Sequence, residues 1–129
     1  MLDHIYEISY IKSMMTADSL FNALSNPIRL RCILLMQAQG ELCVCELTYA
    51  LALSQPMISR HLAVLKESGL VTDRREGQWV YYQINQKLPQ WINSVMQTTA
   101  TENIENEPFA NDLDNLSQMP NRPGSVCCA

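Results

Sequence analysis

Ser54-Gln55-Pro56-Met57-Ile58-Ser59-Arg60-His61-Leu62-Ala63-Val64-Leu65-Lys66-Glu67-Ser68-Gly69 is the stretch on which the fold turns. Ser54 is a favoured N-cap, Pro56 sits in the first turn, where its missing N–H costs nothing, and Gly69 is a stop. Between them Ile58, Leu62 and Leu65 recur at i, i+4 and i+7, one apolar stripe of a helix over 55–68. Gln55, Ser59, Arg60 and His61 stay outside that stripe in its N-terminal half. Immediately upstream, residues 42–51 predict a short helix with Val44, Leu47 and Leu51 on one face, and Ala52 to Ser54 a turn. Two helices joined by so tight a turn form a helix-turn-helix.

Further out, the apolar spacing over Ala17–Gln39 breaks at Ser25-Asn26-Pro27, giving two helices, the second capped by Asn26 with Pro27 in its first turn and stopped by Gly40. Downstream, Leu70–Arg75 and Gln78–Ile84 are rich in β-formers and separated by Glu76-Gly77, a hairpin signal. Pro89 opens a last helix on which Leu88, Trp91, Ile92, Val95 and Met96 make one wide apolar face. The expected class is mainly α: a winged helix-turn-helix with a two-stranded β-hairpin wing. The expected organisation is an N-terminal extension (1–15), a winged helix-turn-helix domain (16–100), and an acidic, flexible tail (101–129) ending in Cys127-Cys128.

The 129 residues suit one core, and 47% apolar with 17% charged residues is a globular balance. The longest strongly apolar run, Cys32 to Met36, falls far short of the ~20 residues that cross a bilayer. The start, with Asp3, Glu7 and Lys12 among apolar residues, does not read as a secretory signal, so the expected location is cytoplasmic, with the five cysteines as free thiols. The net charge of −4 hides a division: residues 25–90 hold seven Lys and Arg against five acids, whereas the two ends hold two against eight. A weakly basic centre is compatible with DNA, since local charge governs the contact.

A recognition helix enters the major groove by its N-terminal half, which makes Gln55, Ser59, Arg60 and His61 candidates for base edges or phosphates, with Lys66 further back. Ser54 and the free N–H groups beside it suit a phosphate, and Arg74, Arg75 and Gln78 flank a hairpin tip suited to the backbone or minor groove. Cys43 and Cys45 are a second candidate site, because a soft ion selects thiolate. Two residues apart on a helix is about 200° of rotation, so both sulfurs meet one ion only where the helix start is distorted. A buried, inert pair is the alternative. Cys32, on an apolar face, reads as core.

At Glu41-Leu42-Cys43-Val44-Cys45-Glu46-Leu47 and Ser54 to Leu62 the chain resembles the ArsR family of metalloregulatory repressors, in its arsenite-sensing branch. The resemblance runs from about Ala17 to Ala100 and takes in Gly69 to Tyr82 as the wing. It implies a homodimeric repressor of a resistance operon, with 16–100 as the DNA-binding and dimerisation domain and Leu20 and its neighbours expected to pack against Trp91, Ile92 and Val95 at the dimer interface. Such a repressor needs no cofactor to bind an inverted-repeat operator and leaves it when As(III) or Sb(III), the inducer, binds cysteine thiolates. The pattern in well-known members continues to a third cysteine where this chain has Thr48, which opens the question of the third ligand; the adjacent thiols Cys127 and Cys128 are candidates. A zinc- or cobalt-sensing member would need histidines on the last helix, and the chain has only His4 and His61. No Gly-rich loop or Cys-x-x-Cys supports an enzyme such as an arsenate reductase. A thiol redox sensor on the same DNA-binding scaffold is the alternative function.

Overall fold

The computed structural model describes residues 15–123. Thr16 and Ser19 cap each other at the start of α1 (Ala17–Leu24), with the Ser19 N–H donating to Thr16 Oγ1 at 3.2 Å and the Thr16 N–H to Ser19 Oγ at 2.8 Å. Asn26 Oδ1 accepts from the N–H groups of Ile28 and Arg29 at 2.9 and 3.1 Å and starts α2 (Pro27–Gln39). This helix is the axis of the core: the five consecutive residues Cys32 to Met36 are all buried, so neighbours cover it on every side.

Gly40, at φ +85°, ends α2. The helix expected from residue 42 begins two residues later, because Leu42–Cys43 form a short strand β1 before α3 (Val44–Leu51). Ala52 in the left-handed region closes α3, and Ser54 caps α4 (Gln55–Ser68), whose bounds are those the sequence predicts. The wing is β2 (Val71–Glu76) and β3 (Trp79–Ile84). Its register pairs Glu76 with Trp79, so the turn is Gly77-Gln78, one residue later than expected. A tight hairpin needs positive φ at its first central position, and Gly77 supplies it at +63°. β1 pairs antiparallel with β3, Leu42 opposite Tyr82 and Cys43 opposite Tyr81, giving a three-stranded sheet in the order β1-β3-β2 rather than a free two-stranded wing.

α5 (Gln90–Asn103) runs past the expected domain end, and the following residues fold back as α6 (Phe109–Ser117). The expectation of a flexible tail from residue 101 is therefore corrected for this stretch: Leu116 and Asp112 are both 1% exposed. Arg31 donates to Asp112 through Nε at 2.9 Å and Nη2 at 2.7 Å, and Asn115 Nδ2 donates to the Ala50 carbonyl at 2.9 Å. The signal was present, since Phe109, Leu113 and Leu116 stand at i, i+4 and i+7, but polar neighbours diluted it. A second correction concerns the apolar faces of α1 and α5. Leu20 and Ile92, expected at a dimer interface, are fully buried within the chain, and Phe21 and Trp91 are the large apolar side chains that these helices leave exposed.

Candidate nucleic-acid interface and thiol site

α4 turns Ile58, Leu62 and Leu65 inward, which puts Gln55 and Arg60 in solvent and leaves Ser59 and His61 partly exposed beside them. Ser54 Oγ accepts from the Met57 N–H at 3.4 Å, and the hydroxyl remains exposed at the helix N-terminus. Arg60 has no ion pair or hydrogen bond to its side chain among the described residues. His61 leans the other way: Arg29 Nη1 lies 3.5 Å from its Nδ1, while burial, then Arg29 and Arg60, hold the imidazole below its usual range and so neutral at pH 7. Lys66 Nζ donates to Asp73 Oδ2 at 3.1 Å, tying α4 to β2.

The two wing arginines differ. Arg74 places Nε and Nη2 on the Glu41 carboxylate, both at 2.8 Å, and Nη1 on Glu76 at 2.7 Å, and lies 4.4 Å over the Tyr81 ring. Its guanidinium is committed within the protein. Arg75, its neighbour, is exposed and unpaired among the described residues, next to Gln78 at the tip. Of the basic residues singled out from the sequence, Arg60 and Arg75 are thus the cations open to a phosphate.

Cys43 belongs to β1 and is also the N-cap of α3, extended at φ −76° and ψ 153°, while Cys45 lies in the first helical turn. The 200° separation of a regular helix does not apply, because the first cysteine is not helical. Burial, then the neighbouring Cys43, pushes the Cys45 thiol up to about 12. Cys43 is buried and Cys45 partly so. Both line a cleft of about 500 Å³ with Thr48, across from Gln55 and Ser59 of α4 and from Arg75, Gln78 and Trp79 of the wing. The Thr48 hydroxyl is buried, with no hydrogen-bond partner among the described residues. Cys32 is fully buried and pushed up to about 12 by desolvation, an inert core thiol. The described residues contain no group of three or more His, Cys, Asp or Glu able to hold a metal, and Cys127 and Cys128 lie outside them.

Sequence reasoning missed Glu46. It is 4% exposed, and its Oε1 accepts the Cys43 N–H at 2.7 Å while its Oε2 accepts from Arg122 Nε at 2.7 Å. The Cys43-x-x-Glu46 spacing, that of a capping box, was the available signal.

Residues 26–73, from the cap of α2 to the start of the wing, match the model of the bacterial regulatory protein arsR family. Over 121 residues the chain is 45% identical to the arsenic resistance transcriptional regulator ArsR1 of Pseudomonas putida, covering 93% of each. The chain belongs to the ArsR family. The arsenical resistance operon repressor of Escherichia coli is 46% identical over 84 residues, 65% of this chain and 72% of that one. Among solved structures, HlyU from Vibrio cholerae superposes with a TM-score of 0.62 at 31% identity, over 69% of this chain and 92% of that one. The antimony-specific transcriptional repressor AntR gives 0.53 at 26%, over 64% and 72%. This ArsR-family member is a winged-helix, DNA-binding transcriptional regulator of the repressor type and not an enzyme.

Proposed function

We propose that the chain represses as a homodimer on an inverted-repeat operator and is released when trivalent arsenic or antimony is taken up by Cys43 and Cys45. The observation that carries this reading is the shared cleft: the two thiols line one wall and Gln55, Ser59, Arg75 and Gln78, candidates for DNA contact, line the others. Arsenous acid loses two hydroxyls as water with the two thiol protons while two As–S bonds form, and no oxidant is needed. The bound ion then stands between the recognition helix and the wing, and it draws on Cys43, whose backbone is paired with Tyr81 of the wing. A two-fold dimer sets two recognition helices about 34 to 36 Å apart, one turn of the duplex. Phe21 and Trp91 are the exposed apolar side chains through which α1 and α5 would meet a second copy.

A pyramidal ion favours a third sulfur, and Thr48 supplies none. Cys127 or Cys128 is the proposed third ligand. Arg122 is fixed on Glu46 beside the thiols, and the five residues from there to Cys127 span at most about 17 Å, a far shorter closure than the whole tail would require. No helix among the described residues is long and apolar enough to cross a membrane, in keeping with a proposed cytoplasmic site of action.

The test is arsenite release of a preformed operator complex. Cys43→Ser and Cys45→Ser are expected to repress and to ignore arsenite; a wild-type response from either removes that thiol from the site. X-ray absorption at the arsenic edge should count three sulfurs in the full chain and two in the Cys127→Ser, Cys128→Ser variant. Release by peroxide but not by arsenite would favour the redox reading.

A further inference from the structure

The segment after α5 grips the thiol-bearing helix α3 at both ends. At its C-terminal end Asn115 bonds the Ala50 carbonyl, and Arg31, itself held by Asp112, reaches the Leu51 carbonyl at 3.3 Å. At its N-terminal end Arg122 binds one oxygen of the Glu46 carboxylate, and the other oxygen accepts the Cys43 N–H. A carboxylate 4% exposed needs its charge matched, and Arg122 is the cation paired with it. With both oxygens engaged, the carboxylate cannot swing away from Cys43. The backbone it holds is the extended N-cap from which Cys43 lines the same cleft as Cys45.

We propose that Arg122 is a positioning residue for the inducer site: by fixing Glu46 it holds Cys43 in the extended backbone conformation that sets its side chain on the same cleft as that of Cys45. The inference rests on the reading of Cys43 and Cys45 as the inducer's ligands. The family model ends at residue 73, so Arg122 reaches the thiol-bearing helix from beyond the matched domain, out of the C-terminal segment. Outer partners of this kind order the ligand before the ion arrives, and their loss commonly weakens a metal site by about 10- to 100-fold.

The experiment compares the full-length chain with R122Q and R122K, and repeats R122Q in a C127S/C128S background. Arsenite affinity is read on the DNA-free protein and arsenite release on the operator complex, with thermal unfolding alongside. R122Q is expected to weaken arsenite binding about tenfold in the C127S/C128S background and by at least as much with the terminal thiols present. R122K should recover much of the loss, and operator affinity without arsenite should stay at the wild-type value. Wild-type arsenite affinity in R122Q overturns the proposal. So does an effect that vanishes in the C127S/C128S background, because Arg122 would then act by tethering the terminal thiols. A loss of arsenite affinity that follows the drop in unfolding temperature and is not recovered by R122K also overturns it. If the Cys43→Ser protein binds arsenite as the wild type does, the failure lies in the ligand assignment instead.

Discussion

The two sides of α3 treat charge in opposite ways. Toward α4 and the wing, Arg60 and Arg75 stand in solvent with no partner among the described residues. Toward α6, the Asp112 and Glu46 carboxylates are almost wholly buried, each held at 2.7 Å by an arginine brought from far along the chain. An exposed cation is already solvated and can exchange water and counterions for a phosphate. A buried carboxylate has no such freedom, and its arginine is tied up in compensating it. The first arrangement suits binding and the second holds the fold. Basic residues of this chain therefore cannot be assigned to DNA by their charge alone.

The comparison predicts opposite responses to mutation. Asp112→Ala should have the largest effect, about 3 kcal/mol of stability, since it strips the partner from Arg31 and the anchor from α6. Urea unfolding measures it, and a loss below about 0.5 kcal/mol, the level of an ordinary surface change, would mean that α6 docks without this pair. Arg60→Ala should do the reverse, leaving stability within about 0.5 kcal/mol while weakening the operator complex by about 1 to 3 kcal/mol. His61→Ala is expected to cost less operator affinity than Arg60→Ala, because its imidazole already faces Arg29. Anisotropy titrations of the two variants decide it, and the opposite order would move the docking face round α4.

Ser54→Ala comes next, at about 0.5 kcal/mol of stability, the low end for a cap because its bond to Met57 is long at 3.4 Å. The same cap shows why α4 was legible and α6 was not. Ser54, Pro56 and Gly69 mark the ends of α4 by local chemistry, and its stripe of three aliphatic residues fixes its inward face. α6 has no side-chain cap at its start, and its buried polar residue is matched by Arg31, 81 positions earlier. Nothing local in a sequence says which arginine will meet which aspartate. The thiol site was half legible for the same reason: Cys43-Val44-Cys45 is a local motif, but the strand that takes Cys43 out of the helix exists only because β3 lies beside it. Glu46 was visible as a capping spacing, and its partner Arg122 was not.

The smallest expected effect separates two adjacent residues, Arg74 and Arg75. If Arg75 contacts a phosphate, Arg75→Ala should lower the slope of log affinity against log salt by about 0.9 for each contact removed, hence by about 1.8 for a homodimer, and should weaken specific and random DNA alike. Arg74→Ala should leave that slope unchanged. Its guanidinium already meets Glu41 and Glu76 and lies over Tyr81, so no counterion-releasing contact is lost when it goes. What it does lose is the tie between β2 and Glu41, two residues before Cys43, so any effect should appear as a changed arsenite concentration for release. Operator titrations at four salt concentrations, with and without arsenite, distinguish the pair. Equal slope changes for both variants would mean that Arg74 leaves its carboxylates on binding DNA, and the division between free and committed cations would fail at the wing.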